Sequence, residues 1–258
     1  MDAYERVSRA RDGKRPTGAY FIDEMITDFT ELHGDRRFAD DGAIIGGIGR
    51  LCGKPVTVIA MERGKTIEER MKRNFGCPSP EGYRKALRLM QQAEKFSRPV
   101  ICIVSSPGAY CGIGAEERGQ GLAIAENLME MMTLKTPIVS VIAGEGGSGG
   151  ALALSVADSV FMLENAVYSV ISPEGCASIL WKDSAKAPEA AEALKLTAQD
   201  LLNFSVADKI IPEGNRSFEE ICAELKEALN EEIEKLSRLD DYRRCEDRYN
   251  KFRKIGQI

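Results

Sequence analysis

Seven residues, Gly144-Glu145-Gly146-Gly147-Ser148-Gly149-Gly150, follow an apolar segment, Ile138 to Ala143, and precede a small-residue segment, Ala151-Leu152-Ala153-Leu154. The order reads as a strand, a glycine loop and a buried helix. The first turn of a helix exposes backbone N–H groups that have no intrahelical acceptor, and it carries partial positive charge. Glycines let a ligand oxygen reach those groups without meeting a Cβ. The stretch is therefore a candidate anion or oxyanion cradle, and the rest of the chain must say which.

Composition removes several classes of chemistry. The chain has 258 residues, enough for one large or two modest domains, with 43% hydrophobic and 29% charged residues, as in ordinary globular proteins. A formal net charge of -5 argues against a nucleic-acid binder driven by phosphate neutralisation. No apolar run reaches the roughly 18 residues of a membrane span. The opening residues, with Asp2, Glu5, Arg6, Arg9 and Arg11, do not read as a signal peptide, so a cytoplasmic protein is expected. The seven cysteines form no C-x-x-C pair, which favours free thiols and predicts no metal site in this chain. The single histidine, His33, leaves little room for a Ser-His-Asp triad, and no G-x-S-x-G elbow is present.

Read in order, residues 1–18 are polar and predict a loose arm. Apolar positions from Ala19 to His33 recur at helical spacing, and Gly34 stops that helix. Ala43–Leu51 and Val56–Met61 read as a hairpin, although glycines 46, 47 and 49 are unusual inside a strand. Glu62 to Cys77 is rich in Arg and Lys, either a solvated surface or a basic patch for an anionic cofactor or partner. Pro80 to Phe96 is a helix, followed by an apolar strand, Val100–Val104.

That strand runs into a second glycine loop, Ser105 to Gly114, and a helix predicted from Ala115 to Met132. Glu116 and Glu117 suit the dipole of its first turn, and adjacent helical residues do not face one another as a catalytic pair would. Strands are expected at Val160–Leu163, Ala166–Ile171 and Val206–Pro212. Helices are expected from Pro173 to Trp181, over Ala185–Leu194 and Thr197–Phe204, and then from Ser217 to Leu236 and Asp240 to Phe252. The alternation predicts one α/β domain over 19–212 with a helical C-terminal extension over 213–258.

Gly144, Gly146 and Gly149 satisfy the dinucleotide fingerprint G-x-G-x-x-G, with Glu164 downstream. The helix between Gly150 and Asp158 is too short for an ordinary βαβ crossover, however, and a lone match is a weak signal. The other reading uses both glycine loops, at 104–116 and 143–151, to place backbone N–H groups around one carbonyl oxygen. Preorganised donors of this kind stabilise an enolate or tetrahedral oxyanion, each contributing about 3 kcal/mol. Such chemistry needs no histidine.

Long strings then carry a resemblance: Arg73-Asn74-Phe75-Gly76 with Pro80–Ala86, Gly108–Gln120, Gly144–Ala153 and Tyr168–Lys182. From about Asp23 to Pro212 the chain resembles the α subunits of bacterial acetyl-CoA carboxylase carboxyltransferase. The resemblance implies a crotonase-like fold of repeated ββα units. It implies transfer of a carboxyl group from carboxybiotin, presented on a biotin carboxyl carrier protein, to acetyl-CoA, giving malonyl-CoA for fatty acid synthesis. It further implies a β subunit that carries the acetyl-CoA site and a zinc ribbon, in an α2β2 assembly. Gly149 and Gly150 match the glycine pair that holds the biotin ureido oxygen. Gly108, Ala109, Tyr110, Gly112, Gly114, Gly146 and Gly147 match the surrounding substrate-binding loops.

The chain departs from the family pattern at Ser105-Ser106, where Asp-Thr is usual, and at Cys111, where proline is usual. Proline fixes the backbone, so Cys111 is expected to loosen its loop. The residues alone leave open a self-contained crotonase-type hydratase or decarboxylase, or a carboxyltransferase subunit for another acyl-CoA.

Overall fold

The computed structural model describes residues 1–256. Its centre is a mixed sheet of β1 (Thr27–Glu31), β2 (Ile44–Leu51), β3 (Lys54–Met61), β4 (Val100–Ser106), β5 (Ile138–Gly147), β6 (Ser159–Leu163), β7 (Val167–Ser169) and β8 (Lys209–Ile211). The order is β1-β2-β3-β4-β5-β6-β8, with β7 paired to the far end of β5. The first three strands run antiparallel, and β3 to β8 pair in parallel. β3, β4, β5 and β6 are apolar on both faces, as parallel strands covered by helices must be.

The helices are α1 (Ala3–Ala10), α2 (Gly18–Met25), α3 (Ile67–Lys72), α4 (Pro80–Lys95), α5 (Ile113–Glu117), α6 (Gln120–Thr133), α7 (Ser148–Leu152), α8 (Pro173–Trp181), α9 (Ala187–Leu194), α10 (Ala198–Asn203), α11 (Phe218–Ser237) and α12 (Asp241–Lys254). The β2–β3 hairpin leads to α4, which buries Tyr83, Ala86, Leu89, Met90 and Ala93 against the sheet. Among the described residues no helix is long and apolar enough to cross a membrane.

Four expectations need correction. The segment 1–18 is not a loose arm. α1 carries a capping box made by Asp2 and Glu5 and buries Ala3, Val7 and Ala10. Next, the helix expected over 19–33 ends at Met25, and Thr27–Glu31 is the edge strand β1. β1 and the residue before it, with Leu89 of α4 against Gly46, explain the β2 glycines. A Cβ on Gly47 would sit 2.2 Å from the Thr30 carbonyl oxygen, and one on Gly49 would sit 2.3 Å from Ile26 Cγ2.

The helix expected from 115 to 132 is two helices, because Gly119 takes a left-handed φ of 81° between α5 and α6. Finally, the glycine stretch is not all loop. β5 continues through Gly147, and α7 begins only at Ser148. The β4–β5 register runs from Val104↔Ile142 to Ser106↔Gly146, so the intervening residues of β5 bulge out, and the strand moves from β6 to β7 as its partner.

Candidate active site at the paired glycine strands

β4 and β5 are parallel neighbours, so the two glycine segments emerge side by side from the same end of the sheet. They are locked backbone to backbone. A Cβ on Gly147 would lie 2.1 Å from the Pro107 oxygen, and one on Gly150 would lie 2.4 Å from the Ala109 nitrogen. No side chain fits at either position. Gly146 is nearly as confined, by Tyr168 and Ile142. Gly108 has a φ of 148°, open only to glycine, and its N–H donates to Ser106 Oγ at 3.1 Å while the Ser106 hydroxyl donates back to its carbonyl at 2.8 Å.

The following residues are tied to the segment before α4. Tyr110 N–H donates to the Pro78 carbonyl at 2.9 Å, and the Gln120 side-chain amide donates to both the Pro78 and Tyr110 carbonyls. The Tyr110 ring closes over Gly112, where a Cβ would be 2.5 Å from ring carbon Cε1. Gly114 stands beside Arg118 in α5. Cys111 is exposed, between Tyr110, whose carbonyl accepts from Gln120, and Gly112, whose carbonyl accepts from the N–H groups of Ala115 and Glu116. Glu116 and Glu117 are exposed and turn away from one another on α5.

Gly149 differs from its neighbour. A Cβ there would meet only Ile124 Cγ2, at the ordinary distance of 3.7 Å. Gly149 and Ser148 border a mostly apolar cavity of about 310 Å³, whose other walls include Leu152, Tyr168, Val170, Leu201 and, from the C-terminal helix, Phe252. The structure thus divides the glycine pair. Gly149 opens on a cavity, and Gly150 is buried against the other loop. Burial pushes the Tyr168 phenol up to about 12, so it stays protonated in that wall. The Tyr83 hydroxyl is buried without a partner among the described residues, 2.8 Å from where a Gly150 Cβ would stand, and burial pushes its pKa well up.

Support from beneath comes from residues that sequence reasoning did not single out. Arg11 donates to Glu145 Oε1 and Glu174 Oε1, tying α1 to the glycine strand and to α8. Buried Arg15 donates to the Ala143 carbonyl at 2.6 Å and pairs with Glu213, whose carboxylate also accepts from Asn165. Their signal in the sequence was only a polar arm. His33, by contrast, is exposed and paired with Asp40 at 2.9 Å, with carboxylates rather than a serine beside it. No group of three or more His, Cys, Asp or Glu among the described residues could hold a metal ion.

The paired glycine segments bring backbone rather than side chains together, and comparison with known proteins decides the family. The model of the family "acetyl co-enzyme A carboxylase carboxyltransferase-like" matches residues 1–256. The chain is 56% identical over 258 residues to the acetyl-coenzyme A carboxylase carboxyl transferase subunit alpha of Ruminiclostridium cellulolyticum, covering 100% of this chain and 99% of that one. The chain belongs to this carboxyltransferase α-subunit family.

The Streptococcus thermophilus α subunit is also 56% identical, over 98% of this chain and 99% of its own length. In Clostridium tetani the similar protein, 54% identical, is named as joined beta/alpha subunits, and this chain covers 45% of it. Among solved structures, transcarboxylase 12S has a TM-score of 0.70 at 19% identity, over 86% of this chain and 42% of that one. The geranyl-CoA carboxylase beta subunit of P. aeruginosa has a TM-score of 0.66 at 15% identity, over 96% and 45%. These likenesses establish the crotonase-like fold expected from the sequence. The family membership makes the chain a carboxyltransferase subunit of acetyl-CoA carboxylase, and neither the dinucleotide reading nor the self-contained hydratase reading is favoured.

Proposed function

We propose that this α subunit forms half of a split active site, in which the first turn of α7 holds the ureido oxygen of carboxybiotin while a β subunit presents acetyl-CoA. The observation that carries this is Gly149, which borders the cavity and has no neighbour crowding its Cα, unlike Gly150. The fit is chemical as well as steric. The cavity wall is largely apolar, matching a bicyclic group on an alkyl arm, and Ser148 and Gly149 on that wall belong to the first turn of α7, whose N–H groups lack intrahelical acceptors. When bound, the biotin group supplies the carboxyl group and, once that has left, a base for the α-proton of acetyl-CoA.

The chain's own residues position and stabilise. The N–H groups of Gly149 and Gly150 stabilise negative charge on the ureido oxygen; in comparable enzymes one such donor contributes about 3 kcal/mol. Gly150 also fixes the spacing of the two loops, and Gly108 to Tyr110 with Gly112 and Gly114 form the rim toward the second substrate. Gly146 and Gly147 keep β5 extended up to the cradle. In this reading the partner brings a zinc ribbon, the assembly is α2β2, and a biotin carboxyl carrier protein delivers the group in the cytoplasm. The joined beta/alpha protein of C. tetani supports the β partner.

The test is carboxyl transfer from malonyl-CoA to biocytin by this chain alone, by a β subunit alone, and by the two combined. Transfer by the combination only is expected. Transfer, hydration or decarboxylation by this chain alone would overturn the split site.

A further inference from the structure

Near the ends of β4 and β5, Arg11, Arg63, Arg70, Phe75, Ser105 and Glu145 line a second cavity, of about 170 Å³. Three guanidiniums and one carboxylate line it, and only one of the three guanidiniums is held in ion pairs. Arg11 is satisfied by Glu145 and Glu174. The other two are not. Arg63 spends Nη2 on the carbonyls of Asp12 and Arg15, both at 2.7 Å, and its Nε is buried with no partner among the described residues. Arg70 has a long bond, 3.4 Å, from Nε to the Gly64 carbonyl. Neither forms an ion pair among the described residues, although burial and the nearby Arg70 charge both disfavour protonated Arg63.

Half-buried cations held in no ion pair are costly, Glu62 and Asp12 reach Arg63 only as nearby charges, and Ser105 adds a hydroxyl to the same wall. We infer that this cavity binds a phosphate group, held by Arg63 and Arg70 with the Ser105 hydroxyl. Two guanidiniums outside any ion pair match the several oxygens of a phosphate, and their forks suit its geometry. The basic segment 62–77 then has a definite task, in which Arg63 and Arg70 face the ligand while exposed Lys65 and Lys72 face solvent.

The ligand is either inorganic phosphate or a phosphate carried on a nucleotide, and calorimetry on the full chain separates them. Sodium phosphate, adenosine 3′,5′-bisphosphate and sodium chloride at matched ionic strength are titrated into the wild type, Arg70→Gln and Ser105→Asp. Saturable phosphate binding absent with chloride is expected, weakened about tenfold or more in Arg70→Gln, the loss of one charged hydrogen-bonding partner. Ser105→Asp is expected to abolish binding while thermal stability is kept or raised, since it supplies a carboxylate internally. Comparable affinities would assign the free ion, and at least tenfold tighter bisphosphate a nucleotide; both support the site. Heats equal to those of chloride, or unchanged binding in Arg70→Gln, would overturn it. This readout is independent of carboxyl transfer, so it stands or falls apart from the role of Gly149.

Discussion

A methyl group at Gly150 would lie 2.4 Å from the Ala109 nitrogen and 2.8 Å from the Gly108 carbonyl carbon, whereas one at Gly149 would find its nearest neighbour at 3.7 Å. Backbone cannot step aside as a flexible side chain can. Gly150→Ala is therefore expected to lose about 2–3 kcal/mol of stability through overpacking, and Gly149→Ala much less. Thermal denaturation of the two variants checks this; equal losses would contradict the packing. A second residue effect is set by pH. Burial alone would raise the Glu213 carboxyl, but the hydrogen bonds and charge of Arg15, with Asn165, outweigh it, and its pKa lies below the ordinary value. A carboxyl lowered on folding stabilises above its unfolded pKa and loses that contribution as pH falls through the folded value. The stability difference between wild type and Glu213→Gln should be about 2–3 kcal/mol near neutrality and shrink below about pH 4. A difference that stays constant into acid, measured by denaturant unfolding, would contradict the assignment.

Elements with strong local chemistry were legible and those shaped by partners were not. Pro80 opening α4, the Ser172-Pro173 start of α8, and the unbroken apolar run of β4 appear where their residues put them. β1 does not, because its five residues share one helical apolar pattern with α2, and pairing with β2 decides their state. α1 is short and polar, so the burial of its small residues shows only in the fold. α12 gives a similar lesson. A packing helix is expected there, but not that a basic residue does the packing: Arg248 is fully buried, paired with Asp158 at 2.9 Å and donating to the carbonyls of Met131, Leu134 and Thr136. Arg248→Met leaves Asp158 and those carbonyls without their donor. The expected cost is about 3–5 kcal/mol, with α12 undocked. Phe252 leaves the cavity wall with it, so hydrogen exchange should rise across α12 and around Gly149 together. Exchange confined to α12 would contradict that coupling.

For the molecule as a whole, parallel pairing of β4 with β5 matters more than either glycine motif alone, because it sets two backbone segments side by side at one end of the central strands. That juxtaposition was legible as two strand–glycine–helix units of similar form. The cavity beside Gly149 was not, since its walls come from residues as distant in sequence as Leu152, Leu201 and Phe252. Nor was the support from Arg11 and Arg15, whose partners lie over 100 residues away. The account as a whole rests on the backbone at Gly149 meeting the biotin group. Its most direct test is Gly149→Val in the complex with a β subunit, followed by carboxyl transfer from malonyl-CoA to biocytin. A Cβ there meets nothing closer than Ile124 Cγ2 at 3.7 Å, so a nearly unchanged melting temperature is predicted, with transfer reduced about a hundredfold because the isopropyl group keeps the ureido oxygen from reaching the N–H donor, an effect the size of losing that donor. A folded Gly149→Val complex that transfers carboxyl groups at the wild-type rate would contradict it.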